Sequence, residues 1–144
     1  MIPKFDKSGY LPPGKPYKAT LEEFQSRFGG SEQRNYLLKG LKEALINLKE
    51  AGCARAYIDG SFVSSKEHPN DWDACWDMKG VDFDLIDSVI IDADFFPDHM
   101  KEKYLGDLFP QNSKLPGGNF LEFFQSDRNG VRKGLVVINL ETIL

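Results

Sequence analysis

Apolar positions in residues 32 to 51 recur at intervals of three and four. They are Leu37, Leu41, Ala44, Leu45 and Leu48. This spacing places them on one face of a helix, so that face can pack on a core. Ser31 is a suitable N-cap, and Gly52 is a suitable residue to end the helix. The pattern therefore predicts a long helix over residues 32 to 51.

A shorter helix is predicted just before it. Thr20 and Glu23 have the spacing of a capping box, which predicts a helix over residues 21 to 28 that stops before Gly29-Gly30. The preceding residues, 1 to 20, are rich in proline and glycine. Such a segment does not form a regular element, so we expect an extended arm over the surface.

Period-two patterns follow the long helix. The apolar run 54 to 59 predicts a buried strand. The pair Gly60-Ser61 predicts a tight turn, and residues 71 to 77 predict a second strand. Successive side chains of a strand alternate between faces. One face of the second strand would carry Asp71, Asp73 and Cys75, and the other Trp72, Ala74 and Trp76. The first face is charged and the second can be buried.

The remaining patterns are weaker. They predict a short helix from Asp82 or Asp84 through Ile90, a helix over 97 to 105, a loop over 110 to 119, and strands over 120 to 125 and 133 to 140 joined at residues 127 to 130. Asn129-Gly130 is a good hairpin signal. The whole pattern predicts an α/β (α+β) fold. We expect a mixed sheet flanked by helices, with a proline-rich N-terminal arm and a C-terminal β-hairpin.

Length and composition limit the class of protein. A chain of 144 residues suits one domain, with residues 1 to 20 as the arm and 21 to 144 as the core. No apolar run approaches the ~20 residues of a membrane span, and no signal peptide is visible. Cys53 and Cys75 have no metal-ligand spacing, which indicates buried thiols in a reducing compartment. We therefore expect a cytoplasmic protein that does not enter a membrane.

Charge is distributed unevenly along the chain. Residues 1 to 56 hold ten Lys/Arg and six Asp/Glu, whereas residues 71 to 98 hold nine Asp and a single Lys. The acidic part repels nucleic-acid phosphates unless metal ions compensate it. No basic stripe with interleaved aromatic residues is present. We therefore do not expect recognition of duplex nucleic acid.

The aspartates Asp71 and Asp73 are the first candidates for chemistry. Two carboxylates side by side repel each other unless both are in water or share a divalent cation. One interpretation is a solvated acidic turn after Pro69-Asn70. The other is a metal site for Mg²⁺ (or Mn²⁺).

Glu122 lies inside an apolar run, where an unpaired carboxylate would be costly to bury. If its strand lies beside the aspartates, Glu122 completes a cluster of three carboxylates. Alternatively, it forms a cross-strand ion pair with Arg128 or Lys133.

Gly60-Ser61 is a candidate phosphate-binding turn. Glycine lets the backbone approach phosphate oxygens, and the serine hydroxyl and nearby amides can donate to them. Lys66 and Arg128 either contact a triphosphate or are ordinary surface charges.

One pattern in the chain consists of Gly60-Ser61, nine further residues, Asp71-Trp72-Asp73-Ala74 and a later Glu122. This pattern resembles the signature of the DNA polymerase β-like nucleotidyltransferase superfamily. The resemblance implies transfer of a nucleoside monophosphate from a nucleoside triphosphate to a hydroxyl acceptor. It implies catalytic and metal-binding roles for Asp71, Asp73 and Glu122. It also implies nucleotide-binding roles for Gly60, Ser61, Lys66 and Arg128.

Three stretches, residues 9 to 14, 59 to 63 and 120 to 128, resemble more narrowly a small family of bacterial nucleotidyltransferase-like proteins. Some of these are encoded beside helix-turn-helix regulators, as toxin-antitoxin modules are. This implies an alternative function, a non-catalytic protein that binds a protein partner.

A hydrolase or nuclease with the same carboxylates is a third hypothesis, which the acidic charge disfavours. Asp59 and Asn70 depart from the superfamily pattern, which usually has an apolar residue and a serine there.

Overall fold

The computed structural model describes residues 1–111, 114–115, 118–119, 126 and 129–143. Its helices are α1 (Leu21–Phe28), α2 (Glu32–Glu50), α3 (Ser88–Ile91) and α4 (Pro97–Tyr104). Its strands are β1 (Tyr17–Ala19), β2 (Arg55–Asp59), β3 (Trp72–Trp76), β4 (Gly106–Pro110), β5 (Lys114–Leu115), β6 (Gly118–Asn119) and β7 (Val136–Asn139). None of the helices in the described part of the chain has the length and apolarity that a bilayer crossing requires.

Five strands form a mixed sheet in the order β1-β7-β2-β3-β4. The outer pairs, β1 with β7 and β3 with β4, are parallel, whereas β2 is antiparallel to both of its neighbours. The pairing places Asp59 opposite Asp73, and Asp73 opposite Asp107. This confirms the predicted mixed α/β fold, and it aligns three aspartates across three neighbouring strands.

The helices pack on one face of this sheet. The same core contains Phe24 and Phe28 of α1, Leu41 and Leu45 of α2, and Met100 and Tyr104 of α4. The sheet contributes buried side chains to it, including Ala56, Ile58, Trp72, Ala74, Trp76, Leu108, Val136 and Ile138. Each large apolar side chain buried in this way stabilises the fold by about 1.5–3 kcal/mol.

Both predicted N-caps are present. The hydroxyl of Thr20 accepts from the Glu23 amide at 3.1 Å, and that of Ser31 accepts from the Arg34 amide at 3.1 Å. Each bond satisfies an amide that the first helical turn leaves without a partner. The predicted helix over 21 to 28 is confirmed, and the second ends at Glu50, one residue earlier than predicted.

The guanidinium of Arg34 fixes the chain after the Gly60 turn. It is buried, and its two terminal nitrogens donate to four backbone carbonyl oxygens, those of Phe28, Phe62, Ser64 and Lys66, at 2.6 to 3.0 Å. Buried carbonyls need such donors, so one side chain ties α1, α2 and the turn together.

Three predictions were wrong in part. The arm does contain a regular element, because Tyr17–Ala19 pairs with β7 as a parallel strand. The loop over 110 to 119 contains the short strands β5 and β6, and Gly106–Pro110 forms β4, which no sequence pattern predicted. The helix through Ile90 is two short pieces, a 3₁₀ turn at Phe83–Leu85 and α3, because each follows its own aspartate cap.

The C-terminal predictions are only partly tested. The strand predicted over 133 to 140 is shorter, Val136–Asn139, and the strand predicted over 120 to 125 lies outside the described residues. A bridge between Ser126 and Arg132 is antiparallel, as in a hairpin around Gly130.

Candidate metal centre

Three carboxylates converge at the junction of β3 and β4. Asp71 directly precedes β3, Asp73 lies within it, and Asp107 is the second residue of β4. One oxygen of each carboxylate lies within 4.8 Å of the chosen oxygens of the other two. All three side chains are partly exposed, so solutes can reach them.

The alternation of β3 explains why its aspartate faces away from the core. Trp72, Ala74 and Trp76 are buried against the helices, so Asp73 and Cys75 lie on the opposite face. The predicted separation of the two faces is confirmed. Cys75 itself is buried in a second apolar cluster, so the opposite face is charged only at its Asp71 and Asp73 end.

Gly106 explains how β4 comes close enough to supply the third carboxylate. A Cβ atom at this position would lie 2.2 Å from the ring of Trp72, and such a contact would push the two strands apart. The Trp72 indole also donates to the Tyr104 carbonyl at 2.9 Å, which fixes the end of α4 against β3. The next residue of β4, Asp107, is thereby held opposite Asp73.

Lys101 of α4 is the cation nearest to this cluster among the described ion pairs. Its ammonium lies 3.6 Å from Asp71 Oδ2 and 3.4 Å from Asp107 Oδ2. Asp107 in particular, and then Asp71, raises the pKa of Lys101, so the side chain stays protonated. Lys101 therefore pairs with two of the three carboxyl groups, and Lys133 also acts electrostatically on the third, Asp73.

The pKa values indicate that this compensation is incomplete. Burial, followed by Asp71 and Asp107, raises the pKa of Asp73 to about 6, although Lys101 opposes the shift. Burial also raises the pKa of Asp107. Carboxyl groups with raised pKa values are stabilised by any further cation that comes close to them.

The Gly60 turn lies directly beside Asp73. Gly60 has φ +77°, a conformation that favours glycine, and a Cβ atom there would lie 3.0 Å from Asp73 Oδ2. It begins the 3₁₀ turn Gly60–Val63, in which Ser61 is partly exposed. The turn thus leaves its backbone open next to the carboxylate.

Asp59 is the least expected member of this region. It is 1 % exposed, and its carboxylate oxygens accept no hydrogen bond within the described part of the chain. Burial and the facing Asp73 raise its pKa well above the usual range. The neutral form of this carboxyl group is therefore more favoured than that of an exposed aspartate.

The other predicted site residues are not brought to this cluster by the described structure. Glu122 and Arg128 lie outside the described residues. Lys66 is exposed and lies beside Arg27 and His68 along a cavity of about 400 Å³. Its nucleotide-binding role stays a prediction.

Sequence reasoning missed Asp107. A usable signal was present, because Asp107 is followed by the apolar pair Leu108-Phe109 soon after the end of a predicted helix. Like Glu122, Asp107 is a lone acid beside apolar residues, where a carboxylate needs a partner.

A profile of a family of unknown function, DUF6932, matches residues 3–139. The chain belongs to this family. No curated protein and no solved structure matches it. The DUF6932 description assigns no activity, so the carboxylate cluster and its surroundings are the basis for any functional conclusion.

Proposed function

We propose that this protein is a magnesium-dependent nucleotidyltransferase that moves a nucleoside monophosphate from a nucleoside triphosphate to a hydroxyl acceptor. The observation that supports this most directly is the convergence of Asp71, Asp73 and Asp107 beside the Gly60 turn. The spacing of Gly60-Ser61 and the aspartates resembles that of known nucleotidyltransferases.

The donor set suits magnesium or manganese. All three ligands are carboxylate oxygens, which hard divalent cations prefer. Ligand oxygens of one magnesium ion lie about 3 Å apart when adjacent and about 4 Å apart when opposite. The three oxygens here lie within 4.8 Å of one another, so the carboxylates would draw closer together around a single ion. Burial first, and then Asp71 and Asp107, raise the pKa of Asp73 although Lys101 and Lys133 oppose the shift, so a further cation would stabilise its carboxylate.

In this proposal, Asp71, Asp73 and Asp107 hold the metal, and the open backbone of Gly60-Ser61 receives triphosphate oxygens. When bound, magnesium supplies charge neutralisation of the triphosphate and lowers the pKa of an attacking hydroxyl. Lys101 is placed to contact a phosphate oxygen that displaces it from its carboxylate partners.

We assign the third carboxylate to Asp107 because its oxygen lies within reach of both other ligands. Glu122, which the sequence pattern suggested, remains a second candidate. The two assignments make different predictions for the single substitutions Asp107→Asn and Glu122→Gln.

The first experiment measures thermal unfolding with magnesium and each nucleoside triphosphate in turn. A ligand at ~100 times its dissociation constant adds ~2.7 kcal/mol to the stability. We expect one triphosphate to raise the melting temperature of the wild type but not that of Asp71→Asn/Asp73→Asn. Asp84→Asn, an exposed acid remote in sequence, is the matched control. Equal shifts in the wild type and the double variant would exclude the proposal.

Turnover is then followed with labelled triphosphate and labelled nucleic acid in separate reactions. Nucleotide incorporation supports a transferase, whereas cleavage of the nucleic acid supports the hydrolase hypothesis. We also propose a cytoplasmic location, because both cysteines are buried free thiols.

A further inference from the structure

Exposed apolar side chains are concentrated in one short segment. Among the described residues, eight large hydrophobic side chains are exposed, and five of these lie between residues 83 and 96. The five are Phe83, Leu85, Ile91, Phe95 and Phe96. Phe95 is 81 % exposed. Scattered single apolar residues are normal on a surface, but a concentration of this kind marks an interaction site.

Ile91, Phe95 and Phe96 lie close together along the chain, between the end of α3 and the start of α4. A 3₁₀ turn, Asp92–Asp94, follows α3, and the amides of Phe95 and Phe96 both donate to the Asp92 carbonyl, at 3.0 and 2.9 Å. Phe95 keeps a helical backbone conformation, so it lies about one turn beyond Ile91, whereas the backbone leaves the helical path at Phe96. Phe96 also stacks on His99 with ring centroids 5.0 Å apart.

The segment is anchored to the body of the protein. Ile86 and Ile90 are buried in the main core, and Asp87 accepts hydrogen bonds from the Tyr104 hydroxyl and from the ammonium of Lys103. The three exposed apolar side chains are therefore presented from a fixed base. Their exposure is a property of the folded structure.

Acidic residues flank this apolar surface along the chain. Residues 82–98 contain six aspartates and no lysine or arginine. Asp87 is paired with Lys103. Asp92 and Asp98 are exposed, flank the aromatic pair and form no ion pair within the described residues.

We propose that the surface formed by Ile91, Phe95 and Phe96, flanked by Asp92 and Asp98, docks a segment of another protein in which Lys or Arg residues alternate with apolar side chains. Buried aromatic side chains supply most of the energy of such contacts, and complementary charge supplies steering and specificity. A second copy of this chain does not suit the surface. A symmetric contact would place two acidic surfaces against each other.

This proposal is independent of the enzymatic one. The docking surface contains none of the candidate metal ligands, so its substitutions leave the carboxylate cluster intact. A failure of nucleotide binding would leave the docking test unchanged, and the reverse is equally true.

The probe is a labelled synthetic peptide of alternating Lys/Leu helical turns, and its matched control is the same peptide with Glu in place of Lys. Fluorescence anisotropy measures both against the full-length protein at about 50 and 150 mM salt, which changes the range of charge interactions. We expect saturable binding of the Lys peptide alone, weakened by salt.

Two pairs of substitutions separate the apolar and charged contributions. Phe95→Ser/Phe96→Ser should weaken binding at least tenfold. Asp92→Asn/Asp98→Asn should weaken it several-fold and reduce its salt dependence. Tyr36→Ser, which removes an aromatic ring that is 61 % exposed on α2, should change nothing. Because all these side chains are exposed, the melting temperatures should stay close to that of the wild type.

Three results would overturn the proposal. The first is the absence of saturable binding of the Lys peptide up to about 1 mM, the weak end of specific affinities. The second is equal binding by the wild type and Phe95→Ser/Phe96→Ser. The third is a wild-type dimer in sedimentation that this double substitution dissociates, because a second copy would then occupy the surface.

Discussion

The chain has two aspartate-rich regions, and they use the same side chain in opposite ways. In the segment 82–98, two of the six aspartates cap local turns: Asp82 accepts from the Asp84 amide and Asp87 from the Val89 amide, both at 3.0 Å. In the carboxylate cluster, Asp73 and Asp107 face each other across paired strands and have raised pKa values.

The difference shows that the number of acidic residues does not define a site. Aspartates that cap turns at the surface are satisfied by backbone amides and water, so their charge costs little. Carboxylates held together by strand pairing repel one another, and the fold tolerates that cost only through the rest of its packing. The cluster, and not the more acidic segment, is therefore the candidate for cation chemistry.

The largest expected effect separates the two candidates for the third carboxylate. Asp107→Asn should lower nucleotidyl transfer by at least about 100-fold, because even residues behind a metal ligand contribute 10–100-fold. Glu122→Gln should leave the rate of transfer within a few-fold of the wild type. Asp84→Asn, in the segment 82–98, should do the same. Initial rates with magnesium and the active triphosphate measure this. The reverse ranking of Asp107 and Glu122 would reassign the third ligand.

The raised pKa of Asp73 predicts a pH dependence of folding. The pKa is about 6 in the folded protein, against 3.8 for the unperturbed group, so its contribution to stability is fully present below pH 3.8 and is lost as the pH rises through 6. Asp73→Asn removes this loss. Between pH 4 and pH 7, the free energy of unfolding of the wild type should therefore fall by about 2–3 kcal/mol more than that of the variant.

Urea unfolding of both proteins without divalent cations, at intervals from pH 4 to 7, measures that difference. Parallel stability curves would show that the carboxylates of the cluster do not strain the fold. Added magnesium should reduce the difference at pH 7 if the cluster binds it, since a cation bound only by the folded wild type stabilises it.

Gly60 and Gly80 form a matched pair for testing the contact with Asp73. Both have φ near +75°, but a Cβ atom at Gly60 would lie 3.0 Å from Asp73 Oδ2, whereas one at Gly80 would meet nothing within 4 Å. Gly80→Ala should cost about 1–2 kcal/mol from backbone strain alone. Gly60→Ala should lower the free energy of unfolding by more than Gly80→Ala does. Of the two substitutions, only Gly60→Ala should weaken magnesium binding. Equal costs would mean that the turn does not press on the carboxylate.

The smallest expected effect concerns the two lysines of α4. Lys101 faces Asp71 and Asp107, whereas Lys103 faces Asp87 in the segment 82–98. Lys101→Met should tighten magnesium binding several-fold, because it removes a cation that competes for the same carboxylates. Lys103→Met should leave it unchanged. Calorimetric titration of magnesium measures both, and a weaker affinity in Lys101→Met would show that Lys101 supports the metal site.

Local interactions made part of this fold predictable from the sequence. The bounds of α1 and α2 follow from the caps Thr20 and Ser31 and from apolar spacing, which act within a few residues. The alternation of β3, with its aspartates facing away from the helices, is equally local. The mixed α/β class followed from the order of these elements.

Strand pairing could not be predicted from the sequence because it joins residues that are far apart in the chain. Asp107 reaches Asp73 only through the parallel pairing of β3 with β4, which the close approach at Gly106 permits. In the same way, Tyr17–Ala19 is a strand only because β7 lies beside it. The sequence by itself determined α1, α2, the Gly60 turn and the first two carboxylates of the cluster. The tertiary structure chose the third, because a strand's neighbour depends on the packing of the whole sheet.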